Sequence, residues 1–185
     1  MKYVSIDLET TGLDPLNNQI IEIGAVIDDT NVHAIYDELP TFQAFIFHES
    51  YTGSAYAINM NARIFKALSV VNRLKDNCFS LSSVMDKLYN FINHNLDQPF
   101  NVAGKNFAGF DKPFLQAAGF PVESFNYRIL DPGSMYVDKS DTVVPGTDEC
   151  MKRAGYTDHK TTHRALDDAM DVVRLIRYKL NIKES

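Results

Sequence analysis

The chain has 185 residues, 45% of them apolar, and a formal net charge of −6. That suits a single domain with a sizeable core, and no apolar run is long enough to span a membrane. The acidic balance excludes a general coater of nucleic-acid duplexes, which would be basic. An acidic protein can still act on a nucleic-acid end when bound cations reverse the local charge.

The chain opens on alternating residues, 3–9, that read as a strand, with no signal-peptide pattern before it. A turn rich in Gly12, Asp14, Pro15, Asn17 and Asn18 leads to a second strand at 19–27. A third strand is expected at 41–48. Helical spacing follows at 55–68 and at 81–96, where Leu81, Val84, Leu88, Phe91 and Ile92 form one stripe. A buried strand is expected at 99–104, then a helix at 112–118 with Pro113 in its first turn. A strand at 127–131 and a helix at 147–154 closed by Gly155 come next. The last helix is expected over 163–181, and 49–56 and 138–146 read as loops. Three strands followed by alternating strands and helices give an α/β fold, a mixed central β-sheet flanked by α-helices. Periodic segments run almost to both ends, so 1–185 is expected to be one domain. The cysteines are two, Cys78 and Cys150. That is too few for a disulfide framework or a thiolate zinc site, and it fits a reducing, cytoplasmic setting.

On the first strand Val4, Ile6 and Leu8 share one face, and Asp7 and Glu9 share the other. Two neighbouring carboxylates on a buried strand repel each other and lose hydration. A divalent cation is their natural partner, because Mg²⁺ and Mn²⁺ prefer oxygen ligands. An edge strand with both acids in water is the plain alternative. The Thr10-Thr11-Gly12-Leu13 stretch that follows offers amides, hydroxyls and a protruding apolar side chain.

In the last helix Leu166, Ala169, Met170, Val172, Val173, Leu175, Ile176 and Leu180 fill a broad apolar arc. Asp168 falls inside that arc. Asp167 and Asp171 fall outside it, beside Arg174 and Tyr178. Asp168 therefore needs a partner, either a metal or a buried hydrogen bond or ion pair. His163 stands at the expected helix start, after Thr162 as a candidate N-cap, and histidine is a residue type that serves as a proton acceptor for water. A third segment joins a buried strand to Lys105, Asn106, Phe107, Phe110 and Asp111. Asp111 alone reads as an N-cap, and the two phenylalanines as base-stacking rings or core.

Together these segments resemble the DEDDh branch of the 3′→5′ exonucleases. The first motif is Asp7-Leu8-Glu9-Thr10-Thr11-Gly12. The second runs from Asn106 to Asp111 with Phe114-Leu115, and the third is His163-Arg164-Ala165-Leu166-Asp167-Asp168. The motifs stand in family order and span most of the chain; residues 44–80 match none of them. The resemblance implies a ribonuclease H-like fold and release of nucleoside 5′-monophosphates from single-stranded DNA or RNA 3′ ends. It implies that Asp7, Glu9, Asp111 and Asp168 hold two divalent cations, Mg²⁺ or Mn²⁺, with His163 as general base. It implies substrate contacts from Thr10, Thr11, Gly12, Leu13, Asn106, Phe107 and Phe110, and for some relatives a homodimer; the apolar runs, too short to span a membrane, give the expectation of no membrane partner. Four residues separate Asn106 from Asp111, where many proofreading members have three. That spacing and Ala165-Leu166-Asp167-Asp168 are closer to oligoribonuclease, although Lys105 is extra. Lys105, Lys112, Lys152, Arg153, Lys160 and Arg164 are candidates for phosphate contacts.

Overall fold

A computed structural model describes residues 1–70 and 78–182. In chain order the strands are β1 (Lys2–Thr10), β2 (Ile20–Asp29), β3 (Thr41–Ile46), β4 (Cys78–Phe79), β5 (Phe100–Ala103) and β6 (Phe125–Leu130). The helices are α1 (Ala55–Met60), α2 (Ala62–Val70), α3 (Leu81–Asn95), α4 (Asp111–Ala117), α5 (Pro132–Met135), α6 (Thr147–Arg153) and α7 (Ala165–Lys179). Among the described residues the strands form one sheet in the order β4-β3-β2-β1-β5-β6. The pairs β1–β2 and β2–β3 are antiparallel; β3–β4, β1–β5 and β5–β6 are parallel. This is the mixed sheet expected from the element pattern. No helix among the described residues is long and apolar enough to cross a membrane.

Period-two alternation along β1 decides what packs on each side. Val4, Ile6 and Leu8 enter the larger core with Val84, Leu88 and Ile92 of α3 and Phe114 and Leu115 of α4. Tyr3 faces the opposite side, where Ala169, Val172, Val173 and Ile176 of α7 cover the sheet. Two features seat α7 there. Gly24, the register partner of Asp7, lets the helix start lie directly on β2; a Cβ at this position would collide with the backbone of Ala165 and Leu166. At the other end the buried Arg177 guanidinium donates to both oxygens of Asp28, at 2.6 and 3.1 Å. The Tyr3 hydroxyl donates to Asp28 at 2.8 Å. A buried pair of this kind fixes position more than it adds stability.

Several expectations need correction. The helix expected at 55–68 is two helices, broken at Asn61, whose side-chain amide donates to the Thr10 carbonyl at 3.1 Å. That bond ties the break to the end of β1. The strand β4 and the single turn α5 were not expected, because elements of two and four residues are too short to show a period. The last helix starts at Ala165, not at 163. His163 takes a left-handed backbone, φ 53°, and Arg164 is extended, so neither residue can be helical. Thr162 is therefore not the N-cap. Gly155 does take the left-handed φ of 92° that ends α6, as its position suggested. Cys150 is a buried free thiol, and the Cys78 side chain lies outside the described residues.

Candidate active site

The C-terminal half of β1 carries Asp7 and Glu9 toward α7, and the close approach at Gly24 brings Asp168 to them. Asp111 arrives from the other direction. β5 pairs with β1 only at Val4 and Ser5, so the sheet leaves the Leu8 N–H on that side without a β5 partner. The Asp111 carboxylate accepts it at 3.1 Å. Asp111 is thus the first residue of α4 rather than its N-cap, which is Phe110. Glu9, His163 and Asp168 each place one ligand atom within 4.8 Å of the others. Asp7 and Asp111 stand outside that tight trio but act on the same electrostatic environment.

The acids shift one another upward. Burial raises Asp7 well above the usual carboxylate range, and Asp111, Asp168 and Glu9 add repulsion. Burial, then Asp168, pushes Glu9 up to about 7. Burial pushes Asp111 up to about 8, against the bonds it accepts from backbone amides, its own and that of Leu8. Asp168 is raised by burial and by Asp171, while Thr162 lowers it through bonds from its amide and hydroxyl, each 3.3 Å long. Protons therefore compensate this cluster when no cation does. Four oxygen-donor side chains and an imidazole form a donor set suited to hard divalent ions.

The cluster forms one wall of an open cleft of about 480 Å³. Thr10, Gly12, Leu13 and Phe110, four of the expected substrate contacts, line it. Leu13 projects with 85% of its surface exposed. The Thr10 hydroxyl donates to the Gly12 carbonyl at 2.7 Å and sets the turn that presents Leu13. Three expected contacts are absent from the lining. Thr11 is buried, donating to the Thr52 carbonyl and accepting from the Gln19 amide, so it holds the loop at 50–54 instead. Phe107 is 0% exposed and packs edge-on to Phe125 in the core, so its ring is unavailable to a base. Asn106 is exposed outside the cleft lining, in a left-handed conformation that starts the turn to Gly109 and Phe110.

The structure adds Ser54, Tyr56, Met60, Thr147 and Thr161 to the lining. Tyr56, 79% exposed, stands with Met60 on one face of α1. Their i,i+4 spacing was visible in the sequence, but nothing there said which way that face points. Of the six basic candidates only Lys105 reaches this cleft. Arg153 is committed elsewhere, to both Asp141 oxygens at 2.7 Å and to Glu149 at 2.9 Å. Asp171, expected outside the apolar arc with Asp167, is only 1% exposed. His159 and Arg174 bind its carboxylate, at 2.8 and 2.7 Å, as the 155–164 loop folds over α7.

Comparisons with known proteins give the family. A family model described as an exonuclease, RNase T, matches residues 4–176. The chain belongs to the RNase T exonuclease family. Oligoribonuclease of Escherichia coli (strain K12) is 30% identical over 179 residues, covering 94% of this chain and 90% of its own. Oligoribonuclease of Mycobacterium leprae is 26% identical, covering 96% and 79%. Among solved structures, the nuclease domain of 3'hExo, a DEDDh family member bound to rAMP, superposes with a TM-score of 0.72. It is 17% identical, covering 97% of this chain and 92% of its own. The fold is the ribonuclease H-like one of those nucleases. This RNase T family chain is a 3′→5′ exonuclease, a hydrolase acting on nucleic acid. Exonucleases of this type use divalent metal ions, and the acidic and histidine cluster is the candidate site for them.

Proposed function

We propose that this exonuclease is a single catalytic domain that removes nucleotides one at a time from single-stranded 3′ ends, releasing nucleoside 5′-monophosphates. One observation carries the reading: Asp7 and Glu9 of β1 and Asp168 of α7 line the cleft, Asp111 of α4 is buried against β1 at the Leu8 amide, and burial raises the pKa values of all four. Asp7, Glu9, Asp111 and Asp168 would hold two divalent ions, Mg²⁺ or Mn²⁺. Such ions, when bound, acidify a water and stabilise charge on the departing 3′ oxygen.

The chain's own residues do the rest. His163, exposed at the cleft, accepts the proton of the attacking water. Leu13 and Tyr56 flank the terminal base, offering an apolar wedge and a ring face. Lys105 meets a phosphate, with its ammonium beside Gly133. His163→Ala is expected to lower kcat by roughly 10²–10⁴-fold, the usual worth of a general base. Single-turnover kinetics at saturating metal check it, and full activity in the variant would remove His163 from that role.

A second, narrower reading is degradation of short RNA oligomers in the cytoplasm. The oligoribonuclease relatives favour it, and so does the net charge of −6, which disfavours long polyanions. The test uses 5′-labelled single-stranded DNA and RNA of several lengths, with and without Mg²⁺ or Mn²⁺. A ladder shrinking from the 3′ end, with closed circles left intact, supports the main reading. Rates that rise as RNA shortens to a few nucleotides support the narrower one. Cleavage of circles would point to an endonuclease instead.

A further inference from the structure

We propose that Arg63 is a positioning residue that holds His163 in place for proton transfer. The inference rests on the reading of His163 as the base, and it adds a residue from a stretch that matches no family motif.

His163 is not held by a helix. Its backbone is left-handed, φ 53°, a conformation disfavoured for a residue with a Cβ, and Arg164 after it is extended. Something outside the segment must fix it. The Arg63 guanidinium does so: its Nη2 donates to the His163 carbonyl at 2.7 Å. The same nitrogen donates to Glu22 at 2.6 Å. Glu22 is fully buried on β2, and its other oxygen accepts from the Gln43 side chain of β3 at 2.7 Å. The carbonyl of His163 is therefore anchored, through one guanidinium, on two sheet strands.

The anchor is also tied to the acids. Glu22 is the register partner of Glu9 across β1–β2. Arg63 thus links Glu22, which stands across the strands from Glu9, to the loop carrying His163, whose imidazole shares one 4.8 Å group with Glu9 and Asp168. Next to the 2.7 Å bond from Arg63, the bonds that tie neighbouring Thr162 to Asp168 are long, 3.3 Å each. Lysine at position 63 would keep the charge beside Glu22, but its ammonium sits on a shorter stem than the Nη2 that makes both bonds.

The test is a double-mutant cycle on the metal-loaded enzyme with a labelled oligonucleotide. Arg63→Gln is expected to lower kcat by about 10–100-fold with KM changed less than about threefold, the usual scale for a group that orients another. Arg63→Lys should recover part of that loss. In the His163→Ala background Arg63→Gln should cost less than about threefold, because the group it positions is gone. Fully additive losses, or an unchanged kcat in Arg63→Gln, would overturn the proposal. Glu22→Gln with Arg63→Gln removes both charges together and is the variant to use if the single change fails to fold. Amide hydrogen exchange of residues 160–166 in metal-free protein supplies an arm independent of activity. It should quicken in Arg63→Gln while β1 stays protected, and unchanged exchange overturns the anchor. If wild type is inactive, or His163→Ala is fully active, the base reading fails, and the exchange arm still decides whether Arg63 holds the loop.

Discussion

Asp7→Asn is expected to lower turnover by on the order of 10⁴-fold or more while raising the thermal stability of the metal-free protein. The two effects have one cause. Asp7 sits where burial and four other carboxylates, Asp111, Asp168, Glu9 and Glu22, oppose its charge. The amide keeps the shape and removes the repulsion, so the metal-free fold relaxes. It also removes an anionic oxygen from the donor set, so cations bind less well and the reaction slows. Melting curves and single-turnover rates of the same preparation check both halves. A variant that keeps a tenth of wild-type activity with the same metal requirement would remove Asp7 from the cluster.

Metal-free protein is expected to lose stability as pH rises from about 4 to about 8, and saturating Mg²⁺ or Mn²⁺ should flatten that slope. The direction follows from the shifts. Glu9 is raised from 4.5 to about 7 and Asp111 from 3.8 to about 8 in the folded chain. Between the unfolded and folded values the native state holds protons that the unfolded chain has released, so stability falls as pH rises through the window. Below it both states are protonated and the contribution vanishes; above it the full cost of burying the charges is felt. A divalent ion binds only the deprotonated native site and therefore stabilises most at the alkaline end. A melting temperature at pH 8.5 at least about 5 °C below that at pH 6 is expected without metal, with the gap largely closed by it. Metal-free stability that is flat or rising across this range would contradict the clustering of the acids.

Much of this site could be read from periodicity. Strict alternation put Asp7 and Glu9 on one face of β1, and the face proved to be the one α7 covers. The helical arc turned Asp168 inward because Val172 and Leu175 bracket it, and it is buried beside Glu9. Periodicity failed where a residue's surroundings come from a distant segment. Asp171 lies on the polar side of the α7 wheel, yet it is buried because the 155–164 loop brings His159 against it. Thr11 and Phe107 sit inside recognisable motifs, but one secures a loop and the other fills the core. Motif membership says that a residue matters without saying whether it faces substrate or scaffold. Arg63 left no signal, and the spacing of Tyr56 with Met60 did not say where that face points, since both roles arise only when α1 and α2 fold across the end of β1.

The central claim is that Asp7, Glu9, Asp111 and Asp168 share bound divalent cations next to His163. Anomalous diffraction from crystals grown with Mn²⁺ and a nucleoside 5′-monophosphate tests it most directly. The account expects manganese peaks within bonding distance of these four carboxylates, with the His163 imidazole facing the phosphate. Peaks located elsewhere, or a well-ordered nucleotide in the cleft with no manganese beside these acids, would contradict it.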